Sequence, residues 1–316
     1  MNTPSLILPF LALILSPLLV GIVNRTKAFF AGRTGQPLFQ LYFDLAKLLR
    51  KGAVYSKTTS WIFRAGPVVQ LAAAITALFV LPWGGASAPF HFNGDLILLA
   101  YLMGLMRFFT VLAALDTGSA FEGMGASREV QFSALAEPAL LVGLAAAAHA
   151  GHDHIAPPLG NFQGALSLSG IYSSLSMDAW LSSGPALLMV AGALFVVFLA
   201  ENSRIPFDDP NTHLELTMIH EVMILDHGGP DLAMILYGAS LKMWLLGSLT
   251  AGLIVPVRTG NAWLDASAVF AGLCFLALLT GVVESTMARL RLLRVPQLLV
   301  SAGFLSTLAL ILLLWR

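Results

Sequence analysis

The chain has 316 residues, 57% of them hydrophobic and 11% charged, with a mean hydropathy of +0.82. Soluble domains carry about 25% charged residues, so this composition puts the chain in a membrane. Seventeen basic and seventeen acidic side chains cancel, which argues against nucleic acid as a partner. A single cysteine, Cys274, excludes an intrachain disulfide, a cysteine-rich zinc site and an iron–sulfur cluster held by this chain alone.

A membrane span needs about 20 predominantly apolar residues. Eight stretches qualify, near 4–23, 67–83, 95–115, 131–149, 185–200, 231–255, 265–287 and 297–315. The first has no basic residue ahead of it and is long enough to cross, so it reads as a retained helix rather than a cleaved signal. The shortest are 67–83 and 185–200. Between the runs stand PWGGASAP (82–89), GHDHIAPPLGN (151–161), DHGGP (226–230) and RVP (294–296), all rich in helix breakers. No fixed-period repeat and no soluble domain is evident. The expectation is one all-α polytopic membrane domain over 1–316, with about eight transmembrane helices. Polar cytoplasmic loops are expected near 24–66, 116–130, 201–230 and 288–296.

Lysine and arginine give the orientation. With the N-terminus outside, thirteen of the seventeen basic residues fall in inner loops, and only Arg258 and Arg316 fall outside. The other two, Arg107 and Lys242, lie within spans. Asp95, Asp153, Asp178 and Asp265 fall outside, leaving thirteen carboxylates at or near the inner face. The first inner loop is basic, and those near 116–137 and 201–231 are acidic. This predicts a multi-pass protein of the inner (cytoplasmic) membrane with a periplasmic N-terminus.

Between Glu201 and Asp231 lie seven of the seventeen carboxylates and three of the seven histidines. Each uncompensated charge costs several kcal/mol in hydrocarbon, so the stretch must fold outside the lipid or line a protected cavity. Asp209 followed by Pro210 reads as a helix start, with a short helix to about Asp226 and Gly228-Gly229-Pro230 ending it. On that helix His213, Thr217, His220 and Glu221 share a face, and Glu215 and Asp226 point away. Such a cluster suits proton relay; a solvated, capped loop helix is the bland alternative.

Arg107 and Lys242 are costly at mid-span, about 2.5–3.5 kcal/mol each on insertion scales. Each is expected to face the bundle interior and pair with a carboxylate, with Glu137, Glu201 and Glu284 as candidates. These pairs are either structural or steps of a proton path entered from the inner face. His213 and His220 are seven apart, where helical metal ligands are usually three or four apart. The tract His149, His152, Asp153, His154 reads as a polar loop more than a metal site. No metal site, no catalytic residue, no intramembrane histidine pair for haem and no glycine-rich nucleotide loop is expected.

GRTGQP (32–37) with LYFDLAKLLRKG, SREVQFSALAEP (127–138), ENSRIPFDDPNTHLELTMIHE (201–221) and LYGASLKMWL (236–245) carry a family likeness. They resemble the membrane subunit shared by respiratory complex I (its subunit 1) and the group 4 [NiFe] hydrogenases, closest to the formate hydrogenlyase and hydrogenase-4 branch. GQP in place of that complex I subunit's usual GPN, and His213 in place of an acidic residue, favour the hydrogenase side. The resemblance implies a subunit without redox centres, non-catalytic alone, that anchors a soluble arm and lines an acidic channel toward antiporter-like membrane subunits. Iron–sulfur clusters and a nickel–iron centre would belong to partners, an iron–sulfur small subunit and a hydrogenase-like large subunit; quinone binding stays open. It places Glu137, Glu201, Asp208, Glu215 and Glu221 in or beside the channel; Glu284, at the end of the seventh span, joins the same polar path by its position in the sequence alone. Arg33, Lys47, Arg128, Arg204, His213 and His220 would lie toward the junction with the soluble arm. Two other functions remain open: the quinone-chamber subunit of an NADH:quinone oxidoreductase, and a stand-alone proton or sodium transporter. A purely structural anchor is a third.

Overall fold

The computed structural model describes residues 3–152, 167–208 and 218–315, with the side chains of Thr3 and His152 left out. Ten α-helices account for most of it: α1 (Thr3–Phe30), α2 (Gln40–Leu49), α3 (Trp61–Val80), α4 (Asp95–Asp116), α5 (Ala120–His152), α6 (Leu168–Ser174), α7 (Met177–Glu201), α8 (Gly229–Ile254), α9 (Ala262–Thr286) and α10 (Val295–Leu314). Among the described residues there is no strand, only a bridge between Trp83 and Ala86. Eight of the helices are long and apolar enough to cross a membrane, all but α2 and α6, as the hydropathy runs predict. Apart from a few charged residues, their apolar side chains spread around the circumference rather than along one stripe, which suits helices bounded by lipid and by one another. Hydroxyls within them bond back to carbonyls a turn earlier, as Thr280 does to Leu276 and Thr250 to Leu246.

The boundaries differ from the expected ones where polar residues are helical. Loop 116–130 shrinks to residues 117–119, because α5 begins at Ala120 and turns Glu122, Arg128 and Glu129 toward other protein segments. The short run at 185–200 extends back to Met177; Ser183 leaves the helical region just ahead of Pro185, which kinks α7. The helix expected to run to Asp226 is reduced, among the described residues, to one 3-10 turn at Glu221–Ile224. The expected start at Asp209-Pro210, and Glu215, His213 and Thr217, lie outside the described residues.

α8 is the hub. It packs on α1, α2, α3, α7 and α9, while α3 pairs with α4, and α5 with α7 and α10. Trp244 of α8 is fully buried and stacks on Trp83, with centroids 5.0 Å apart. Close approach depends on small residues: a Cβ on Gly66 of α3 would come within 2.8 Å of the Ala113 methyl on α4. Carboxylates tie the ends of the bundle. Asp116 accepts from the amides of Ser60 and Phe63 at 2.7 and 3.3 Å, fixing the start of α3 to the end of α4. At the opposite end Asp95 accepts from Leu168 N and Ser167 Oγ at 2.6 and 3.0 Å.

Candidate functional site

Arg107 lies about 18 Å along α4 from its first residue, at mid-span. Its guanidinium meets three carboxylates. Nη2 donates to both oxygens of Glu201, at 2.7 and 2.8 Å; Nη1 donates to Glu137; and Nε lies 3.6 Å from Glu129. Glu129 and Glu137 are eight residues apart on α5 and so share a face. Lys242, mid-way along α8, places Nζ 2.7 Å from the other side of Glu201. Glu201 therefore bridges the two intramembrane cations, with its own side chain only 4% exposed. Sharing two cations and accepting two hydrogen bonds from arginine gives the buried carboxylate partners on both sides.

The cluster opens onto a cavity of about 270 Å³. Arg107, Glu129, Glu201 and Lys242 line one side, His220 and Glu221 another, and Val20, Leu41, Met106 and Met243 supply apolar wall. A polar wall, an apolar wall and room for several waters make a chamber able to pass protons or hold an amphipathic head group.

Residues 201–208 and 218–228 fold down between the helices instead of lying above them. Arg204 is buried and pairs with Glu284 at 3.4 Å, and Lys27 reaches the same carboxylate at 2.7 Å. Asp208 pairs with Arg289 at 2.9 Å while accepting from the amides of Ile219 and His220 at 3.0 and 3.1 Å. Arg128 donates to Met218 O at 2.8 Å. His227 is buried and stacks on Phe63, with ring centroids 3.9 Å apart. Burial pushes its pKa below the ordinary value, against the pull of Asp231 and Asp226. Tyr55, under the Arg64 guanidinium at 4.1 Å, has its phenol pushed up, first by burial and then by Asp231.

A family model described as NADH dehydrogenase matches residues 3–315. The chain belongs to this family. Formate hydrogenlyase subunit 4 of Escherichia coli (strain K12) is 31% identical over 301 residues, covering 92% of this chain and 91% of that protein. Hydrogenase-4 component C of the same organism is 32% identical over 287 residues, 89% and 86% of the two chains. A chain of the membrane-bound sulfane sulfur reductase, an archaeal respiratory membrane complex, superposes with a TM-score of 0.78 at 20% identity over 98% of both chains, which shows the shared fold.

This member of the NADH dehydrogenase family brings together Arg107, Lys242, Glu137 and Glu201, as their residue types predict. His220 and Glu221 reach the chamber wall. Glu284 does not join that cluster; it forms a second one with Lys27 and Arg204, because Arg204 turns inward from the chain just past α7. Arg204 is thus an internal ion-pair partner, and Arg128, half-buried, holds the 218 carbonyl. Arg33 and Lys47 are exposed at the basic end. Asp208 is an anchor for the descending loop and does not line the chamber beside Arg107 and Glu201. Two members escape a reading of the residues alone. Glu129 falls in an expected loop, although its i+8 relation to Glu137 is an available signal; Lys27 falls past the expected end of α1 near 23, but the helix continues to Phe30. Among the described residues no three His, Cys, Asp or Glu side chains lie close enough to hold a metal; His149 is described, while Asp153 and His154 are not.

Proposed function

We propose that the chain is the membrane anchor and proton-path subunit of a group 4 [NiFe]-hydrogenase, of the formate hydrogenlyase type. It docks an iron–sulfur small subunit and a hydrogenase-like large subunit at its basic, cytoplasmic end and couples their electron flow to ion movement. The observation that carries this reading is the continuous run of ionisable groups at membrane depth, Glu137–Arg107–Glu201–Lys242, open to a chamber at the loop-bearing end. A structural pair needs one cation and one anion; four interlocked charges, with Glu129 3.6 Å from Arg107 as a fifth, beside a cavity with room for water suit stepwise proton movement. The relatives at 31% and 32% identity support the hydrogenase branch. With no redox centre expected in this chain, the clusters and the nickel–iron site belong to the partners.

A second reading, a quinone chamber, is favoured by the mixed apolar and polar lining of the 270 Å³ cavity. One experiment separates the readings. The tagged chain is recovered from mild-detergent extracts, and hydrogen evolution is measured in membranes before and after quinone extraction. Recovery of iron–sulfur and nickel–iron subunits with quinone-independent hydrogen evolution supports the proposal. Loss of activity on extraction, restored by added quinone, supports the chamber reading. A chain recovered alone that exchanges protons or sodium in liposomes contradicts both.

A further inference from the structure

The segment 287–294, between α9 and α10, reads MARLRLLR, three arginines within six residues. No Asp or Glu occurs from Ser285 to Arg316, and the nearest acids are already engaged: Glu284 with Lys27 and Arg204, Asp208 with Arg289. Arg291 and Arg294 are exposed, and neither has a carboxylate partner among the described residues. Leu293, between them, is 88% exposed. α10 is about 30 Å long, the thickness of the hydrocarbon, so its first turn lies at headgroup level. Beneath that turn Gln297, Val300 and Phe304, three and four residues apart, share one exposed face, which reaches about 14 Å down the helix from Val295.

Two unpaired cations at headgroup level above an apolar stripe narrow the choice of occupant. A zwitterionic headgroup brings its own cation against the arginines, and a second copy of the chain brings the same arginines. A free phosphate leaves Leu293 in water. An anionic phospholipid answers both halves: its phosphate accepts from the guanidinium groups, and an acyl chain covers Leu293, Val300 and Phe304. We propose that Arg291, Arg294 and this face of α10 form a binding site for an anionic phospholipid, which braces the wall of the chamber. The bracing runs through two bonds of the same segment. Leu290 N donates to Pro206 O at 2.9 Å, and Arg289 holds Asp208 at 2.9 Å. Asp208 in turn accepts from the amides of Ile219 and His220, and His220 lines the chamber. Without an anion the three arginines repel one another and load those two bonds; a bound phosphate relieves the repulsion. The site does not depend on whether the chamber passes protons.

The test uses the full chain purified in mild detergent and titrated with phosphatidylglycerol or phosphatidylcholine, the first lipid bound being followed by native mass spectrometry. Glycerophosphoglycerol, the headgroup without its chains, is the competitor. An arginine near an anionic surface is worth about fivefold in affinity, so Arg291→Gln with Arg294→Gln should weaken phosphatidylglycerol binding at least about tenfold. Arg291→Lys with Arg294→Lys should retain it, as should Arg33→Gln with Lys47→Gln, two exposed cations elsewhere at the basic end. Phosphatidylcholine should bind all of them weakly and alike. Saturating phosphatidylglycerol should also slow hydrogen exchange at the Ile219 and His220 amides in the wild type, and not in the glutamine variant. Equal binding of the two lipids, equal loss in the Arg33 and Lys47 variant, or displacement by the headgroup alone, which marks a site for a soluble phosphate, would overturn the proposal. Exchange at 219 and 220 that phosphatidylglycerol leaves unchanged would do so too. Arg291 and Arg294 are exposed, so the glutamine variant is expected to fold; if it is lost from the membrane, the lysine variant and the wild-type contrast between the two lipids decide.

Discussion

Glu201→Gln isolates the energetics of the site. In the native fold Glu201 is the carboxylate that meets Lys242, at 2.7 Å, and it also holds Arg107 by two hydrogen bonds. Lys242 sits about 20 Å along α8 with its side chain 13% exposed, so beyond Glu201 it meets only the chamber and lies too far from the helix ends to extend into bulk water. Removing the anion leaves a cation buried without a partner, which costs about 3–5 kcal/mol. Arg107 retains Glu137 and Glu129, so the lower end, about 3 kcal/mol, is expected. Adding Lys242→Met removes the orphaned charge and should recover about 1–2 kcal/mol, a favourable coupling of the kind that neighbouring sites show in a double-mutant cycle. The assay is unfolding of the purified chain in mixed micelles titrated with a denaturing detergent, comparing wild type, both single variants and the double. If Glu201→Gln lies within about 0.5 kcal/mol of wild type, or if the double variant is the simple sum of the singles, Glu201 is not holding Lys242 and the site is misdescribed.

The stack of His227 on Phe63 predicts a pH dependence. Its folded pKa is depressed by burial, so the unfolded chain binds more protons and stability rises with pH. The contribution is complete above the ordinary histidine value near 6.5 and is lost as pH falls toward the depressed folded value. Thermal midpoints measured from about pH 5 to 8 should lose this component in His227→Phe; an unchanged profile would show that the imidazole stays solvated. Gly229 has φ +56°, and a Cβ there would lie 2.7 Å from Gly52 O. Gly229→Ala should therefore cost at least about 1–2 kcal/mol, while Gly228→Ala, at φ −138° with open space, should cost less than half as much in the same detergent titration; equal effects would contradict the close packing of the two loops.

Hydropathy makes the eight spans legible because their apolar runs are long and separated by breakers, and the isolated basic residues within them point to internal pairs. What it cannot give is the fate of polar residues that remain helical. Glu122, Arg128 and Glu129 look like loop because they are charged, yet each is bonded inside the bundle: Glu122 accepts from Asp226 N, Arg128 donates to Met218 O and Glu129 faces Arg107. Likewise the polar stretch from Glu201 to Asp231 reads either as a helix outside the lipid or as the lining of a cavity. Its described parts, 201–208 and 218–228, are the second, because Arg204, Asp208 and His227 find partners on α9, near its end, and on α3 that no local pattern announces. Glu284 is legible as a buried acid but its partner is not, since the choice between Lys27, Arg204 and Lys242 is made by helix packing.

At the centre of this account is the proposal that the Arg107–Glu201–Lys242 junction carries protons and does not merely brace the helices. The most direct measurement is protons translocated per hydrogen molecule formed, in the complete complex sealed in vesicles, for wild type and for Glu201→Gln with Lys242→Met. That double variant keeps the site free of an orphaned cation, so it assembles. The account predicts that the ratio falls severalfold or to nothing in the double variant. An assembled double variant that turns over and pumps at the wild-type ratio would contradict it.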